Sequence, residues 1–378
     1  MNSEPNAATT ARAPAPIAAS FTIHDVDHIE LWVGNAKQAA SYWRQWGFAP
    51  VAYSGLETGN RRFASWVMEQ KRIRVVLSSP YSGQDEMAAH HLVHGDGVKT
   101  ISLRVDDVDA AYRSTTARGA VGVAPPREQS DDTGTVRTAA IQGFGQTHFR
   151  FVDRGEYGGA FAPTYVRLPV DGHTIPAGLV AVDHIVANVE LGKMDHWADW
   201  FRNAFGFEQI LHFDDDVIHT QYSALMSKVM GAPGGRLRFP INEPARGRGR
   251  SQIEEYLDYY GGAGVQHIAL LSGDIVQSVR SLRERGHQFL RVPREYYDAL
   301  PGRIGAIRES YEELAELGIL VDRDEDGYLL QTFSQPLQDR PTLFLEVIQR
   351  RGARGFGAGN FKALFESIEA EQARRGNL

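Results

Sequence analysis

Apolar and polar residues alternate over several short stretches of this chain, and each stretch gives way to an apolar spacing of three and four. Residues 26–48, VDHIELWVGNAKQAASYWRQWGF, run as an alternating strand, a polar turn and an amphipathic helix with paired aromatics, ending in Gly-Phe. Residues 182–207, VDHIVANVELGKMDHWADWFRNAFGF, repeat that plan, with VDHI displaced by 156 positions (26 to 182). A second pair, 97–120 and 264–287, leads a strand into an Asp-capped helix that stops at Arg-Gly. A third, THFRFVDRG (147–155) and TLFLEVIQRRG (342–352), reads as the strand that closes each copy. Three landmarks in the same order predict a duplicated domain. Each copy holds two strand–helix–strands units, so the plan is α+β, with four βαβββ modules. The expected division is a disordered tail over 1–20, a first domain over 21–157, a linker over 158–180 and a second domain over 181–378. Residues 294–335 are read as extra to the second copy. They include a helix over Ile307–Leu317 and a DRDEDGY turn (322–328) leading into the strand YLLQTF.

Composition narrows the function classes. Of 378 residues, 42% are apolar and 23% charged, as in ordinary folded proteins. A net charge of −7 disfavours nucleic acid or an anionic membrane as the main partner. With no cysteine there is no disulfide framework, and any metal must be held by histidine and carboxylate. The same absence fits a reducing compartment, and a cytoplasmic location is expected. No run approaches the roughly 18 apolar residues that span a bilayer. Residues 1–20 lack the charged start and apolar core of a signal peptide.

Candidate chemistry concentrates in residues 339–375. Leu343–Ile348 are apolar except for Glu346, and alternation puts Phe344, Glu346 and Ile348 on one strand face. A carboxylate there is costly to bury unless it is paired or holds a metal. Gly355–Gly359 then lead into a helix whose Phe361, Leu364, Phe365 and Ile368 form one stripe. Aligning the copies sets His184, His267 and Glu346 against His28, Thr100 and Phe151. Two histidines and a carboxylate on three strands make a facial triad suited to Fe(II), with three positions left open. The first copy retains one such ligand, which cannot hold a catalytic ion, and is read as structural. The plainer readings are core histidines and a Glu346 paired with Arg350 or Arg340. His173, His196, His212, His219 and His287 read as surface groups.

FPINEPA (239–245), SQIEEYLDYYGGAGVQHIAL (251–270), DRDEDGYLLQTFSQP (322–336), QDRPTLFLEVIQR (338–350) and GFGAGNFKALFESIE (355–369) closely resemble the 4-hydroxyphenylpyruvate dioxygenases. The resemblance implies a vicinal-oxygen-chelate fold, related to glyoxalase and bleomycin-resistance proteins, with paired βαβββ modules curling into an open barrel in each domain. It implies one Fe(II) per chain on His184, His267 and Glu346, with no catalytic residue beyond that centre. The substrates would be 4-hydroxyphenylpyruvate and O2, the products homogentisate and CO2, in tyrosine breakdown, and the assembly a homodimer or homotetramer. Substrate-binding positions fall on Ser227, Asn242, Gln252, Gln266, Gln331, Phe333, Phe344 and Phe361. A lid would use Phe356 and Phe365, with Gly355, Gly357 and Gly359 as hinge. Strict alternation would turn Gln266 away from His267, and Asn242 reads equally as a cap on the turn before Glu243-Pro244. Gln252 opens a helix after the cap Ser251. Other readings are a 4-hydroxymandelate synthase, which hydroxylates the benzylic carbon, a non-catalytic binder of the same fold, and an extradiol dioxygenase, which lacks an obvious histidine base here. Phe361 separates the first of these, because a bulky ring favours attack on the ring of the substrate. Phe361→Ile is therefore expected to release benzylic product, and chromatographic separation of the products checks it.

Overall fold

The computed structural model describes residues 21–213, 224–235, 237–245 and 250–377. The expected tail, His219 and residues 246–249 lie outside them. The first half contains β1 (Ile23–Trp32), α1 (Ala36–Gln45), β2 (Ala49–Ser54), β3 (Phe63–Gln70), β4 (Ile73–Pro80), α2 (Glu86–His94), β5 (Gly97–Val105), α3 (Val108–Ala117), β6 (Gly122–Asp131), β7 (Gly134–Gln142), β8 (His148–Asp153) and β9 (Val166–Arg167). The second contains β10 (Leu179–Asn188), α4 (Met194–Phe205), β11 (Glu208–Phe213), β12 (Ala224–Gly231), β13 (Arg238–Ala245), α5 (Gln252–Tyr260), β14 (Gly264–Ser272), α6 (Ile275–Glu284), α7 (Arg294–Asp298), α8 (Leu300–Ile304), α9 (Tyr311–Leu317), β15 (Leu320–Asp324), β16 (Gly327–Phe333), β17 (Phe344–Arg351) and α10 (Ala358–Arg374).

Local chemistry sets the helix starts. Asp107 and Asp274 accept from Ala110 and Gln277 amides at the heads of α3 and α6. Ser251 and Glu254 form a reciprocal capping box on α5. The first sheet runs β6-β7-β8-β5-β1-β4-β3-β2-β9, and the second, read backwards, runs β15-β16-β17-β14-β10-β13-β12-β11. Strand for strand these are the same order, so duplication extends to topology: each sheet is two βαβββ modules joined at a central antiparallel pair, β1–β5 or β10–β14. Matching the strands corrects one expectation. β15 and β16 pair as the counterpart of β6 and β7, so the segment peculiar to the second half is the helical run α7–α9, and its last helix begins at Tyr311, behind the cap Ser310.

One buried core runs through both halves. Phe149 on β8 meets Trp200, Phe201 and Phe205 of α4 and Phe239 of β13, with ring centroids 5.3–5.8 Å apart. Residues 158–180, expected as a linker, rest on the first sheet over 160–167 and enter β10 of the second at Leu179. Phe161 is buried, and β9 adds a ninth strand beside β2. Gln70 accepts from the Ala177 and Leu179 amides and donates to the Trp46 carbonyl, closing the seam.

His287 is a correction. It is buried, with its ring 4.5 Å from that of Trp46 and 5.4 Å from that of Tyr42. Counting its polar neighbours from sequence missed that the α6 C-terminus abuts the other half. Burial pulls its imidazole down to about 4 from the ordinary 6.5, as it pulls His90 to about 3 and His148 to about 4. These groups are neutral when folded, whereas the unfolded chain takes up protons below about 6.5, so stability is complete above that pH and falls as pH drops toward 4. His287→Phe, which keeps the aromatic packing, is expected to lose less stability between pH 7 and pH 5 than the parent does (both about these values). Urea midpoints at the two pH values check it.

Candidate metal centre

His184, Ala269 and Glu346 stand in a row on β10, β14 and β17, because Ala269 is the register partner of both of the others. His267 lies two residues along β14, on the same face. The methyl of Ala269 is the smallest side chain that could separate the flanking pair, and it leaves the space between them open. Two irregularities complete the arrangement. Val182 and His184 pair with Leu270 and Ala269, so Asp183 is an extra residue on β10; Val186 and Ala187 pair with His267 and Val265, so Gln266 is an extra residue on β14. Each is a β-bulge, which re-aims a side chain that alternation would turn away. Gln266 thus stays beside His267, against the expectation from strict alternation.

The two bulged residues set the imidazole tautomers. Asp183 Oδ1 lies 2.8 Å from His184 Nδ1, and Gln266 Oε1 lies 2.9 Å from His267 Nδ1. Both oxygens can only accept, so both Nδ1 atoms carry the proton and both Nε2 atoms present a lone pair. Each Nε2 is 3.2 Å from Glu346 Oε2. The other carboxylate oxygen, Oε1, is buried without a partner. Ligand atoms of His184, His267 and Glu346 all lie within 4.8 Å of one another, and all three residues are buried. Lone pairs crowded together among buried side chains call for a cation, so these residues fit a metal ion. Burial alone would raise the Glu346 carboxyl, but His184 and His267 outweigh it and hold it at about 2. Burial would lower His184, yet Glu346 and Asp183 pull it upward: the site attracts positive charge.

Asp183 is itself clamped. Arg350, at the end of β17, donates Nε and Nη2 to its two oxygens at 2.7 and 2.8 Å. This is where Arg350 goes, instead of pairing with Glu346, and Arg340 reaches the Val93 and Leu92 carbonyls. Sequence reasoning passed over Asp183 and Ala269 and weighed Arg350 only as a partner of Glu346, although VDHI in both copies, with an arginine near the close of each third landmark, was the available signal.

A cavity of about 490 Å³ opens over the triad, lined by Val186, Pro240, Asn242, Gln252, Gln266, Gln331, Phe333, Phe356, Leu364 and Phe365 as well as the triad itself. The buried oxygens of Asn242, Gln252 and Gln331 have no partner, so three acceptors await a ligand's donors or water. Asn242 lies within β13, so it caps no turn; its register partner Ser227 sits fully buried beside it, outside the cavity wall. Phe344, too, lies outside the wall of this cavity. The register sets it opposite His267, and its ring stacks on that imidazole at 4.8 Å and lines a neighbouring cavity of about 440 Å³. Phe361 is on α10, but its side chain lies outside the described residues.

The glycine run is tied down. Asp324 Oδ2 accepts from the Arg354 and Gly355 amides, and Asp322 Oδ2 from that of Gly359. Gly357 has φ +74°, and a Cβ there would come within 2.7 Å of Gln331 Oε1. At its far end α10 is held by Arg375, whose Nη2 donates to the buried Glu255 at 2.7 Å.

The first half shows what replaced the triad. Register sets Thr100 in the place of His267 and Arg150, not Phe151, in the place of Glu346, since Ser102 pairs with Arg150 as Ala269 pairs with Glu346. Sequence alignment slipped by one residue here, because the third landmark differs in length between copies. Arg150 donates to buried Glu30 at 3.2 Å, and His28 Nε2 meets Ser102 Oγ at 2.9 Å.

Residues 181–332 and 27–136 each match a family described as the Glyoxalase/Bleomycin resistance protein/Dioxygenase superfamily. The chain is 44% identical to a 4-hydroxyphenylpyruvate dioxygenase of Aspergillus fumigatus, over 99% of both chains. It is 46% identical to one of Caenorhabditis briggsae, over 94% of both. Among solved structures, a variant of 4-hydroxymandelate synthase from Streptomyces coelicolor aligns with TM-score 0.84 at 32% identity, covering 93% of this chain and 99% of that one.

Ala269→Leu would fill the gap between His184 and Glu346 while leaving every ligand in place. Stoichiometric uptake of Co(II), followed by calorimetry, is expected to be lost.

Proposed function

We propose that this chain, which belongs to the 4-hydroxyphenylpyruvate dioxygenase family, converts 4-hydroxyphenylpyruvate and O2 to homogentisate and CO2. The observation that carries the reading is the convergence of two imidazole lone pairs and one carboxylate beneath a lidded cavity. His184, His267 and Glu346 are the proposed ligands of one Fe(II). A ferrous ion so held would supply open positions for the 2-oxo acid end and for O2, and would relay to O2 the four electrons that the substrate itself gives up in losing CO2 and in oxidation of its ring. The substrate carries its own 2-oxo acid, so no second oxo acid is needed. The atoms balance: one oxygen atom ends in the new carboxylate and the other on the ring.

The chain's own residues bind, orient and dry the site. Asp183 and Gln266 keep the Nδ1 protons away from the centre. Phe333, Phe356, Leu364 and Phe365 wall the cavity with apolar surface, which excludes water and offers faces for an aromatic ring. Asn242 and Gln252 present unpartnered oxygens that suit a phenol hydroxyl, with Ser227 behind Asn242. Gln331, one strand from Glu346 and against the lid turn, is assigned to the 2-oxo acid end. Residues 181–378 would carry the chemistry, and the first half, with Arg150 in place of a ligand, would serve as scaffold and as the contact surface of a homodimer or homotetramer. No helix among the described residues is long and apolar enough to cross a membrane, and a cytoplasmic setting is proposed.

Anaerobic loading with Fe(II), then addition of O2 and 4-hydroxyphenylpyruvate, tests the reading. Homogentisate is expected. Hydroxymandelate would move the chain to the chemistry named for its structural neighbour, and metal binding without O2 uptake would make it a binder. Glu346→Gln is expected to abolish turnover and weaken Fe(II) binding, and full activity in that variant would remove the ligand assignment.

A further inference from the structure

Arg350 touches both sides of the site. Besides its two bonds to Asp183, its Nη1 donates to the Gly355 carbonyl at 2.6 Å and to the Ala353 carbonyl at 3.3 Å. Its guanidinium lies 5.5 Å from the centre of the Phe356 ring, and that of Arg238 lies 5.6 Å from it. Phe356 in turn sets its ring 5.0 Å from that of His184, edge to face. One side chain therefore holds the carboxylate that orients a ligand histidine and the turn from which α10 departs. We propose that Arg350 is a positioning residue that couples lid closure to the metal site: with the turn seated, Asp183 and His184 are fixed for the ion, and with the ion bound, the turn is favoured in its seated form.

The first half contains the same assembly without the triad. Asp27 lies 2.6 Å from His28 Nδ1, Arg154 donates to both Asp27 oxygens and to the Phe161 carbonyl, and Phe161 stands 5.1 Å from the His28 ring. Arg74, the register counterpart of Arg238, faces the Phe161 ring at 5.6 Å. There the arginine ties the closing strand to a segment packed across the site, with no second triad ligand at Thr100 or Arg150. The clamp is thus a property of the duplicated fold, and only in the second half does it bridge a ligand set and a helix that can lift. Linkage makes the effect reciprocal, so what the ion does for the turn, the turn does for the ion.

The inference rests on the metal reading of His184, His267 and Glu346, and Co(II), which binds such sites without turnover, separates the two. Hydrogen exchange of residues 353–375 is measured with and without Co(II), beside calorimetric affinity. In the parent, protection is expected to rise about tenfold on binding. Arg350→Met is expected to lower Co(II) affinity by roughly 10–100-fold and to remove the response of the lid, with Arg350→Lys recovering part of both. Arg154→Met, the same change in the half without a triad, is expected to lower thermal stability while leaving both readouts intact. A parent lid indifferent to bound Co(II) overturns the proposal even if Arg350→Met does not fold. So does parental affinity in Arg350→Met, or an Arg154→Met variant that loses both readouts. A parent that takes up no Co(II) overturns the metal reading, and the coupling with it.

Discussion

A carboxylate in the interior of a sheet has to be met by positive charge, and Glu346 is the residue to which the second half answers. Its burial would cost several kcal/mol if it stood alone. Two imidazoles face one of its oxygens, and the other is left without a partner. The neighbours are arranged so that the missing charge arrives at one point. Ala269 is small where an ion would sit, both Nδ1 atoms are occupied, and Arg350, the nearest permanent cation in the clamp, is engaged by Asp183. Had Arg350 reached Glu346, the site would have been neutralised from within.

That alternative is what the first half displays. Arg150 occupies the ligand position itself and pairs with Glu30, a carboxylate on β1, across the intervening strand β5, where the second half has Val186. The surrounding scaffold is nearly unchanged. Asp27, His28, Arg74 and Arg154 repeat Asp183, His184, Arg238 and Arg350 position for position, and Phe161, one residue further along its copy, takes the place of Phe356. Duplication kept the clamp in both copies and let the charge at the centre differ, one half closing on its own guanidinium and the other remaining open to an ion. The two halves also share a core through β8, α4 and β13, so the closed half buttresses the open one.

Helix α10 and the turn before it belong to the same economy of burial. α10 lays Leu364 and Phe365 over the cavity, and the turn before it is held by three separate carboxyl and guanidinium groups, Asp322, Asp324 and Arg350. Those bonds lie at the protein surface or near it and are individually modest. A helix seated by several modest bonds can release and reseat, whereas one sealed by apolar packing alone would expose its whole face to water on opening. Phe344, expected against the substrate, stacks its ring on the His267 imidazole.

Much of this was present in the pattern of residues. Period-two and period-three-to-four spacing, repeated with the same landmarks, determined the βαβββ modules and their duplication, because each spacing leaves one face to bury. The same comparison singled out His184, His267 and Glu346, since a ligand set stands out against a copy that lacks it. Two features were decided by tertiary structure alone. Alternation assigns a face only while a strand stays regular, and the bulges at Asp183 and Gln266 reverse it where it matters most; the one-residue slip between Phe151 and Arg150 arose in the same way, from a strand whose register only its neighbour could fix. Charge partners are the other. Arg350 sits four residues beyond Glu346 yet meets a carboxylate 167 positions earlier, because strands far apart in the chain lie side by side in the sheet. Which cation answers which buried anion depends on distance in space, and that distance exists only once the chain has folded.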